Sequence, residues 1–330
     1  MNITGDVSAK TYRKKLAEKG VFHTDEKLAK EIASYIPQSI IDAYGKVYDP
    51  TCGCGALLSV FPDNVRKCGQ EIDPDMVGYC KENLKNADDI YCADSLKKFC
   101  FAPGSFHAIV ANYPFSIKWE PEYSEMTPFG CPCLPPQNRA DFAFIFHILY
   151  MLANEDAVAS VLCSPGICYR GGREEKVRKF LVEQNVIDTI VLYEGDYFKD
   201  TKIATNLIVF RKDKKTTDIV FKDAQTGISR TVSMDEVRKN DYNLSVSRYI
   251  ERPKEPDEND GKPLSELQSD LMGLNLNAFR HSCELDWIML TQLNGHDYQK
   301  EQFENYLKQV KEIADEYLEK LANLNTGEEQ

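Results

Sequence analysis

The feature that most constrains the fold is a regular alternation of short apolar segments with amphipathic ones between Lys46 and Phe210. The apolar segments resemble buried strands in length and β-branched content, and the others have helical spacing of apolar residues. The predicted strands are Val47–Tyr48, Arg66–Ile72, Ile90–Ala93, Phe106–Ala111, Ala157–Cys163, Val186–Tyr193 and Thr205–Phe210. Such alternation predicts an α/β fold with a doubly wound, mostly parallel seven-stranded sheet, followed by a C-terminal helical extension.

Acidic residues lie at the ends of three successive predicted strands: Asp49, Glu71 and Asp94. Ligands of doubly wound sheets bind beyond the carboxyl ends of the strands, and Glu71 there can accept both hydroxyls of a ribose. Asp94 could accept a hydrogen bond from an adenine amino group. Either of these two acids alone is better explained as a helix cap, but three at successive strand ends favour a cofactor site. The candidate cofactor-binding residues of this edge are Asp49, Pro50, Thr51, Cys52, Gly53, Gly55, Glu71, Ile72, Asp94 and Ser95.

The turn after the first strand contains glycines and cysteines. Glycine lets the backbone approach a ligand closely, but the absence of a following Lys-Ser/Thr pair excludes a phosphate-binding P-loop. Cys52 and Cys54 have one residue between them and no matching Cys or His pair, and Cys131 with Cys133 supplies only two ligands. We therefore predict no metal site.

The tetrapeptide Asn112-Tyr113-Pro114-Phe115 follows the fourth predicted strand and resembles the Asn-Pro-Pro-Tyr/Phe motif of amino-methylating enzymes. The resemblance implies an amino group on a nucleobase as the methyl acceptor. An exocyclic amino nitrogen is a weak nucleophile because its lone pair is delocalised into the base. The Asn112 side-chain oxygen and a backbone carbonyl can accept its two hydrogens, while an aromatic side chain stacks on the extruded base. The alternative is an ordinary strand-end turn, since Asn and Pro are common in turns. We predict Asn112, Tyr113, Pro114 and Phe115 as the catalytic segment.

The strand-end acids resemble the cofactor site of S-adenosylmethionine-dependent methyltransferases, as the tetrapeptide resembles the amino-methylation motif. Tyr113 stands where proline is usual, and the acceptor role at that position belongs to the backbone carbonyl, which any residue supplies. Arg170–Lys179 resembles the Arg-Gly-Gly helix entry of type I restriction-modification methylation subunits. Asp241–Ile250 resembles their Tyr-Asn-Leu-x-x-Ser-Arg-Tyr signature. Over residues 20–252 the chain is thus similar to these adenine-N6 DNA methyltransferase subunits.

An upstream segment, Gly20–Asp25, resembles the Phe-x-Thr-Pro element that closes over the cofactor in adenine-N6 DNA methylases. The resemblance makes Phe22 and Thr24 cofactor-binding candidates. Asp25 replaces the proline of that element and is predicted to be the N-cap or an early-turn residue of the following helix, Glu26–Ile36. Only 19 residues precede this element, whereas the family carries a sizeable helical domain there, so the resemblance implies a compact form.

The charge distribution limits which partners the chain can bind by itself. The chain has 40 Lys and Arg residues against 52 Asp and Glu residues, a net charge of −12, and residues 251–330 hold 18 of the acids and 8 of the bases. Because contacts of Lys and Arg with phosphates supply most non-specific affinity for nucleic acid, an acidic chain is a poor DNA binder by itself. If DNA is the substrate, we expect another subunit to grip it.

Three regions are predicted along the chain. Residues 1–45 form an N-terminal helical segment with the cofactor-closing element, residues 46–252 a methyltransferase domain, and residues 253–330 an acidic linker with C-terminal helices. The last region contains a heptad seam formed by Phe303, Leu307, Val310, Ala314, Tyr317, Leu321 and Leu324. The seam either packs on its own domain or docks on a partner. The resemblance implies DNA and a specificity subunit as partners, with a second copy of the chain and a restriction subunit as further ones.

Three features that the sequence lacks predict the cellular compartment of the protein. Apolar runs fall short of the ~18 residues of a membrane span, the N-terminus lacks a signal-peptide pattern, and the eleven cysteines are scattered rather than dense. A cytoplasmic protein with mostly free thiols is expected.

Two other functions stay open at this point. A related Asn-Pro-Pro-Tyr motif serves enzymes that methylate a protein glutamine or an RNA base. The altered positions Tyr113 and Asp25 also fit a catalytically inert, methylase-like binding module.

Of the remaining features, the Ser116–Asn138 loop is either a lid or a surface loop, and His147 on an apolar helix is expected to pack rather than catalyse. The basic face of Arg170–Lys179 is either solvated or contacts a phosphate.

Overall fold

The computed structural model describes residues 24–120, 131–195, 197 and 204–252, and in the C-terminal region residues 304–305, 307–312 and 315. The chain divides into two compact units, Met1–Arg252 and Pro253–Gln330. In the second unit, the residues that are described are helical and mostly exposed. Phe22 and most of the heptad seam lie outside the described residues. Across the described ranges, no helix combines the length and the apolar character that crossing a membrane requires.

A nine-stranded sheet organises the first unit. Its strands are β1 (Lys46–Asp49), β2 (Arg66–Glu71), β3 (Asp89–Cys92), β4 (Ala108–Asn112), β5 (Val158–Cys163), β6 (Ile187–Tyr193), β7 (Thr205–Phe210), β8 (Ile219–Asp223) and β9 (Ser229–Val232). They lie in the order β3-β2-β1-β4-β5-β7-β6-β8-β9. Strands β1 to β5 pair in parallel, and β7 is antiparallel to both of its neighbours, β5 and β6.

The α/β class and the doubly wound topology are confirmed, but the predicted count of seven strands is wrong. The two additional strands, β8 and β9, continue the sheet beyond β6. In β8 buried and partly buried residues alternate, and three of the four β9 residues are exposed. Neither strand therefore has the continuous apolar run that identifies the buried parallel strands in the sequence.

Helices cover both faces of the sheet. They are α1 (Glu26–Ser34), α2 (Gln38–Tyr44), α3 (Ala56–Ser59), α4 (Pro74–Asn83), α5 (Asp141–Met151), α6 (Arg173–Glu183) and α7 (Met234–Lys239), with 3₁₀ turns at Pro165–Cys168 and Val246–Arg248. The predicted cap of α1 is confirmed, because the Leu28 N–H donates to Asp25 Oδ1 at 2.7 Å. α1 ends two residues earlier than predicted, since Pro37 disfavours helical geometry at the residue before it.

Two apolar cores lie on opposite faces of the sheet. Helices α1 to α4 contribute to one core, and α5, α6 and α7 contribute to the other. Ten of the eleven residues of α5 are buried, which explains why its sequence is apolar on all sides. His147 in α5 contacts the Tyr48 hydroxyl through Nε2 at 2.8 Å. Burial lowers the pKa of His147 to about 3, which agrees with the expected packing role.

Two alternatives were open for the basic face of α6: exposure to solvent or contact with a phosphate. Arg178 fits neither alternative. Its side chain is buried, and its Nε donates to the Tyr242 carbonyl at 2.8 Å. Its Nη1 donates to the carbonyls of Arg170 at 2.8 Å and Ile167 at 3.2 Å. Arg178 therefore ties the Tyr-Asn-Leu segment to the residues that follow β5.

Replacement of Arg178 by methionine should lower the free energy of unfolding by at least about 2 kcal/mol, because three carbonyl oxygens lose a charged donor in a buried place. Equilibrium urea unfolding measures the change. Lys176→Met, on an exposed position of the same helix, is the matched control and should change stability by less than about 0.5 kcal/mol. Equal effects of the two substitutions would contradict the anchoring role.

Candidate active site

Asp49 ends β1 and accepts hydrogen bonds from its own turn. Its side chain is 2% exposed, and its Oδ1 accepts the Thr51 N–H at 2.9 Å. The next residue in the turn, Cys52, donates its N–H to the Gln70 carbonyl of β2 at 3.0 Å. The turn is therefore held down on the edge of the sheet by β1 and β2.

Gly53 and Gly55 shape the rest of this turn, with φ angles of 51° and 81° that side chains other than glycine rarely adopt. A Cβ atom at Gly55 would lie 2.5 Å from Leu84 Cδ1 and 3.0 Å from Cys80 Sγ. Glycine is thus required for the turn to pack this closely against the end of α4. A Cβ atom at Gly53 would meet no atom of the described residues within 4 Å, so a ligand can approach the backbone there.

Glu71 ends β2 and accepts two backbone hydrogen bonds. The Gly53 N–H donates to its Oε2 at 2.8 Å, and the Asp73 N–H donates to its Oε1 at 2.9 Å. Since each carboxylate oxygen has a second lone pair, both oxygens can still accept a hydroxyl. The neighbouring Ile72 is 67% exposed, which places an apolar side chain at the surface beside this carboxylate.

Asp94 follows β3 and caps the next turn, since the Leu96 N–H donates to its Oδ1 at 2.8 Å. This hydrogen bond is the capping role that the sequence also allowed for Asp94, so its cofactor role stays a prediction. Ser95 is buried, and its hydroxyl donates to the Pro50 carbonyl. Ser95 and Pro50 therefore connect the end of β3 to the end of β1.

The carboxylate of Asp49 lies in an unusual electrostatic position. The pKa of Asp49 is raised to about 7, chiefly by burial and also by the nearby negative charge of Glu71, against the lowering effect of the hydrogen bonds from Thr51. Among the described residues, no cation lowers the pKa of Asp49. A buried carboxylate without a cation is destabilising when ionised, so this position suits a positively charged ligand.

The pKa of Asp49 predicts a pH-dependent gain in stability for Asp49→Asn in the ligand-free protein. The unfolded chain loses this proton near 3.8 and the folded protein near 7, so the wild type loses stability as the pH rises between these values. The substitution should therefore be more stabilising at pH 8 than at pH 5, by about 2 kcal/mol. Urea unfolding at both pH values measures the difference, with exposed Asp75→Asn as the control. The same gain at pH 5 and pH 8 would rule out the raised pKa.

Asn112 ends β4, and its side chain contacts Thr24. The Asn112 Nδ2 donates to Thr24 Oγ1 at 3.0 Å. Because this contact uses a donor of the carboxamide, the acceptor Oδ1 is left for a ligand. Thr24 directly precedes the capping residue of α1, and α1 is joined to the sheet by a hydrogen bond from Ser160 Oγ to the Ile32 carbonyl at 2.7 Å. The packing of α1 thus brings two predicted site residues into contact.

The three residues after Asn112 have different surroundings. Tyr113 is buried, and its ring stacks on Phe144 of α5 with centroids 5.0 Å apart. Pro114 is exposed, and Phe115 is partly buried with its ring edge-on to Tyr113 at 5.7 Å. Since the Tyr113 side chain packs in the core, its replacement of proline places no bulky group at the exposed edge.

The candidate residues are carried by four adjacent strands, in the order β3-β2-β1-β4. Neighbouring parallel strands are about 4.8 Å apart, and in this sheet Asp49 pairs with Gly69, Glu71 with Cys92 and Tyr48 with Ile109. The carboxyl ends of these strands are therefore side by side. The structure brings together the acids after β1, β2 and β3 and the tetrapeptide after β4 at one edge.

Several side chains that support this edge were missed by the sequence analysis. The Tyr193 hydroxyl donates to Glu31 Oε1 at 2.7 Å, and Lys27 Nζ lies 4.6 Å from the centre of the Tyr197 ring. Both contacts hold α1 against the end of β6. The sequence analysis also missed Asp141, which accepts the Ser116 N–H just after the tetrapeptide. Its signal in the sequence was a single acid at the start of an otherwise apolar helix.

The strand order, with an antiparallel β7 between β5 and β6, and the acids at the strand ends together define a class I methyltransferase fold. Within that class the chain belongs to the N-6 DNA methylase family, whose family model matches residues 9–230. The predicted family membership is therefore confirmed.

Similar proteins are methylation subunits of type I restriction enzymes. The MpnII methylase subunit of Mycoplasma pneumoniae is 29% identical over 74% of this chain and 56% of its own length. The HindI methylase subunit of Haemophilus influenzae is 24% identical over 82% of this chain and 73% of its own length. The crystal structure of a type I restriction-modification methyltransferase subunit from Streptococcus thermophilus aligns with a TM-score of 0.64 and 26% identity, covering 70% of this chain and 59% of that one. The chain thus spans just over half the length of the MpnII relative.

Proposed function

We propose that this chain is the modification subunit of a type I restriction-modification complex and transfers a methyl group from S-adenosylmethionine to the N6 amino group of a flipped adenine. The observation that carries the proposal is the position of the Asn112 carboxamide, which ends β4 beside the strand that carries the buried carboxylate of Asp49. An acceptor for an amino group and a site for a cation meet at this edge.

The residues of the edge fit the proposed cofactor. Asp49 supplies a buried carboxyl group whose pKa no cation among the described residues lowers. S-adenosylmethionine carries positive charge at its sulfur and its ammonium group, which would favour the ionised carboxylate. Glu71 has lone pairs left for ribose hydroxyls, and exposed Ile72 offers an apolar surface to a purine. Asp94 is the proposed hydrogen-bond acceptor for the amino group of the cofactor's own adenine. When bound, the cofactor supplies an activated methyl group on a positively charged sulfur.

The tetrapeptide would hold the acceptor base. The Asn112 Oδ1 and the Tyr113 carbonyl accept the two hydrogens of the amino group, which withdraws the nitrogen lone pair from the ring and directs it toward the methyl donor. The Phe115 ring stacks on the face of the extruded base. Because the methyl donor needs no covalent help, the contribution of these residues is orientation and the hydrogen bonds to the amino group.

Recognition of the DNA sequence is assigned to another subunit. The net charge of −12 argues against strong DNA binding by this chain alone, and similar proteins are named as subunits of type I enzymes. We propose that a specificity subunit docks on the C-terminal region around Phe303–Leu324. A second copy of the chain and a restriction subunit complete the complex, which acts in the cytoplasm.

The proposal is tested by expressing the chain together with the specificity subunit of its own locus in cells whose DNA lacks N6-methyladenine. Single-molecule sequencing should then find modified adenines in one bipartite motif. Cells that express Asn112→Ala with the same partner are the control and should show none. Unmodified DNA together with a methylated protein glutamine or RNA base would refute the choice of acceptor, and a chain without saturable cofactor binding by calorimetry would be an inert module.

A further inference from the structure

The catalytic segment is tied to helix α5 immediately after Phe115. Ser116 has a φ angle of 55°, and its N–H donates to Asp141 Oδ2 at 2.9 Å. One residue on, the Ile117 carbonyl accepts the N–H of Ala140 at 2.8 Å. Two reciprocal hydrogen bonds therefore join residues 116–117 to the start of α5.

The second oxygen of Asp141 reaches a different strand end. Asp141 Oδ1 accepts the hydroxyl of Ser164 at 2.7 Å, and Ser164 directly follows β5. In the sheet, Asn112 pairs with Leu162 of β5, so β4 and β5 end side by side. One carboxylate thus connects the exits of two neighbouring strands, and its side chain is fully buried.

A carboxylate has a specific advantage at this place. An ionised carboxylate only accepts hydrogen bonds, so the Ser116 N–H and the Ser164 hydroxyl are both required to donate to it. Asp141 also lies in the first turn of α5, where the positive end of the helix dipole stabilises a negative charge. The preceding residue, Ala140, provides no side-chain cap. The Ser116 amide is therefore held in one orientation by an acceptor that packing and charge keep in place.

We propose that Asp141 is a positioning residue for methyl transfer: it holds the segment from Asn112 to Phe115 in the path that presents the Tyr113 carbonyl and the Phe115 ring to the flipped base. The inference rests on the proposed function. Asp141 contacts residues that follow β4 and β5, whereas Asp49 and Glu71 end β1 and β2. Its loss should thus change the rate of methyl transfer and leave the affinity for the cofactor unchanged.

The first test compares Asp141→Ala with Asp141→Asn in the assembled complex. The alanine variant should lower kcat for DNA methylation by about 100-fold, because both strand exits lose their anchor. The asparagine variant should stay within about 5-fold of the wild type, since a carboxamide oxygen can accept the Ser116 N–H while its NH₂ donates to Ser164 Oγ. Affinity for S-adenosylmethionine, measured by calorimetry, should change by less than about 3-fold in both.

A second readout does not depend on activity. Hydrogen–deuterium exchange of the backbone from 113 to 119 should become faster in Asp141→Ala and stay as in the wild type in Asp141→Asn. Met151→Ala is the matched control, because Met151 is buried at the other end of the same helix. It should lower stability through a cavity without changing either this exchange or kcat at temperatures where the protein is folded.

The possible outcomes separate the inference from the proposed function. A wild-type complex that methylates no adenine refutes the proposed function, and the exchange experiment still tests the Asp141 anchor. A wild-type kcat in Asp141→Ala, or an equal loss in Met151→Ala, overturns the positioning role. If Asp141→Ala does not fold, Ser164→Ala removes one of the two contacts and should lower kcat about 5-fold to 10-fold, and an unchanged kcat in that variant overturns the inference.

Discussion

Asn112→Ala should lower the rate of adenine methylation at least about 1,000-fold, and the affinity for S-adenosylmethionine should be retained. The substitution removes the one side-chain acceptor of the tetrapeptide for the amino group, and loss of a single preorganised partner of a transition state costs about 100-fold to 1,000-fold in other enzymes. Here the loss should be at the upper end or above, because no other side chain of the tetrapeptide can replace this acceptor: Tyr113 is buried in the core, and Pro114 and Phe115 have no side-chain acceptor. Single-turnover methyl transfer to a duplex with the recognised motif measures the rate.

Two further variants show whether the effect is chemical. Asn112→Asp keeps an acceptor at the same place and should retain more activity than the alanine variant. Asn83→Ala, on an exposed position of α4, should leave the rate unchanged. If Asn112→Ala methylates at the wild-type rate, the assignment of the catalytic segment is wrong. If the variant loses cofactor binding as well, Asn112 has a structural role instead.

Glu71→Ala should weaken binding of S-adenosylmethionine by about 100-fold or more. The proposed contact of one carboxylate with two ribose hydroxyls consists of two charge-assisted hydrogen bonds, each worth about 1.5–3 kcal/mol, and every 1.4 kcal/mol is tenfold in affinity. The substitution also removes the acceptor of the Gly53 N–H, so the turn over the sheet loses a support. Isothermal titration calorimetry with the purified chain measures the affinity directly.

The controls for Glu71 separate ligand contact from loop support. Glu82→Ala removes an exposed acid from α4 and should leave the affinity unchanged. Glu71→Gln keeps the size of the side chain but leaves one oxygen to accept from two backbone N–H groups and two ribose hydroxyls. Its affinity for S-adenosylmethionine should therefore lie between those of the wild type and Glu71→Ala. A Glu71→Ala variant with wild-type affinity would remove Glu71 from the proposed cofactor site.

The order of the elements follows from local sequence patterns to a large extent. The first two strands were placed to within one residue at their carboxyl ends, because β1 ends at Asp49 rather than Tyr48 and β2 ends at Glu71 rather than Ile72. The cap at Asp25 was also predictable, since a cap depends only on the residues of the next helical turn. β8 and β9 were not predictable in this way, because only alternate residues of β8 are buried and three of the four β9 residues are exposed, so neither strand is a continuous buried run.

Side-chain environments were harder to infer. Arg178 belongs to a run of basic residues that looks solvated, yet it is buried and donates to the carbonyls of nearby Ile167 and Arg170 and of the distant Tyr242. The position of Tyr113 in place of proline raised a question about the tetrapeptide, and its ring is accommodated by stacking on Phe144. Such environments depend on which segments meet in space, and sequence spacing holds no information about that.

The sequence by itself determined the type of sheet, the edge at which polar residues gather and the chemistry that an Asn-containing tetrapeptide implies, because each depends on residues close together in the chain. Only the tertiary structure decided that Thr24 meets Asn112, that Asp49 is buried with a raised pKa, and that Asp141 joins the ends of β4 and β5. The physical reason is that hydrogen bonding and desolvation act between atoms that are near in space, and packing of the helices on the sheet brings residues from distant parts of the chain to the same place.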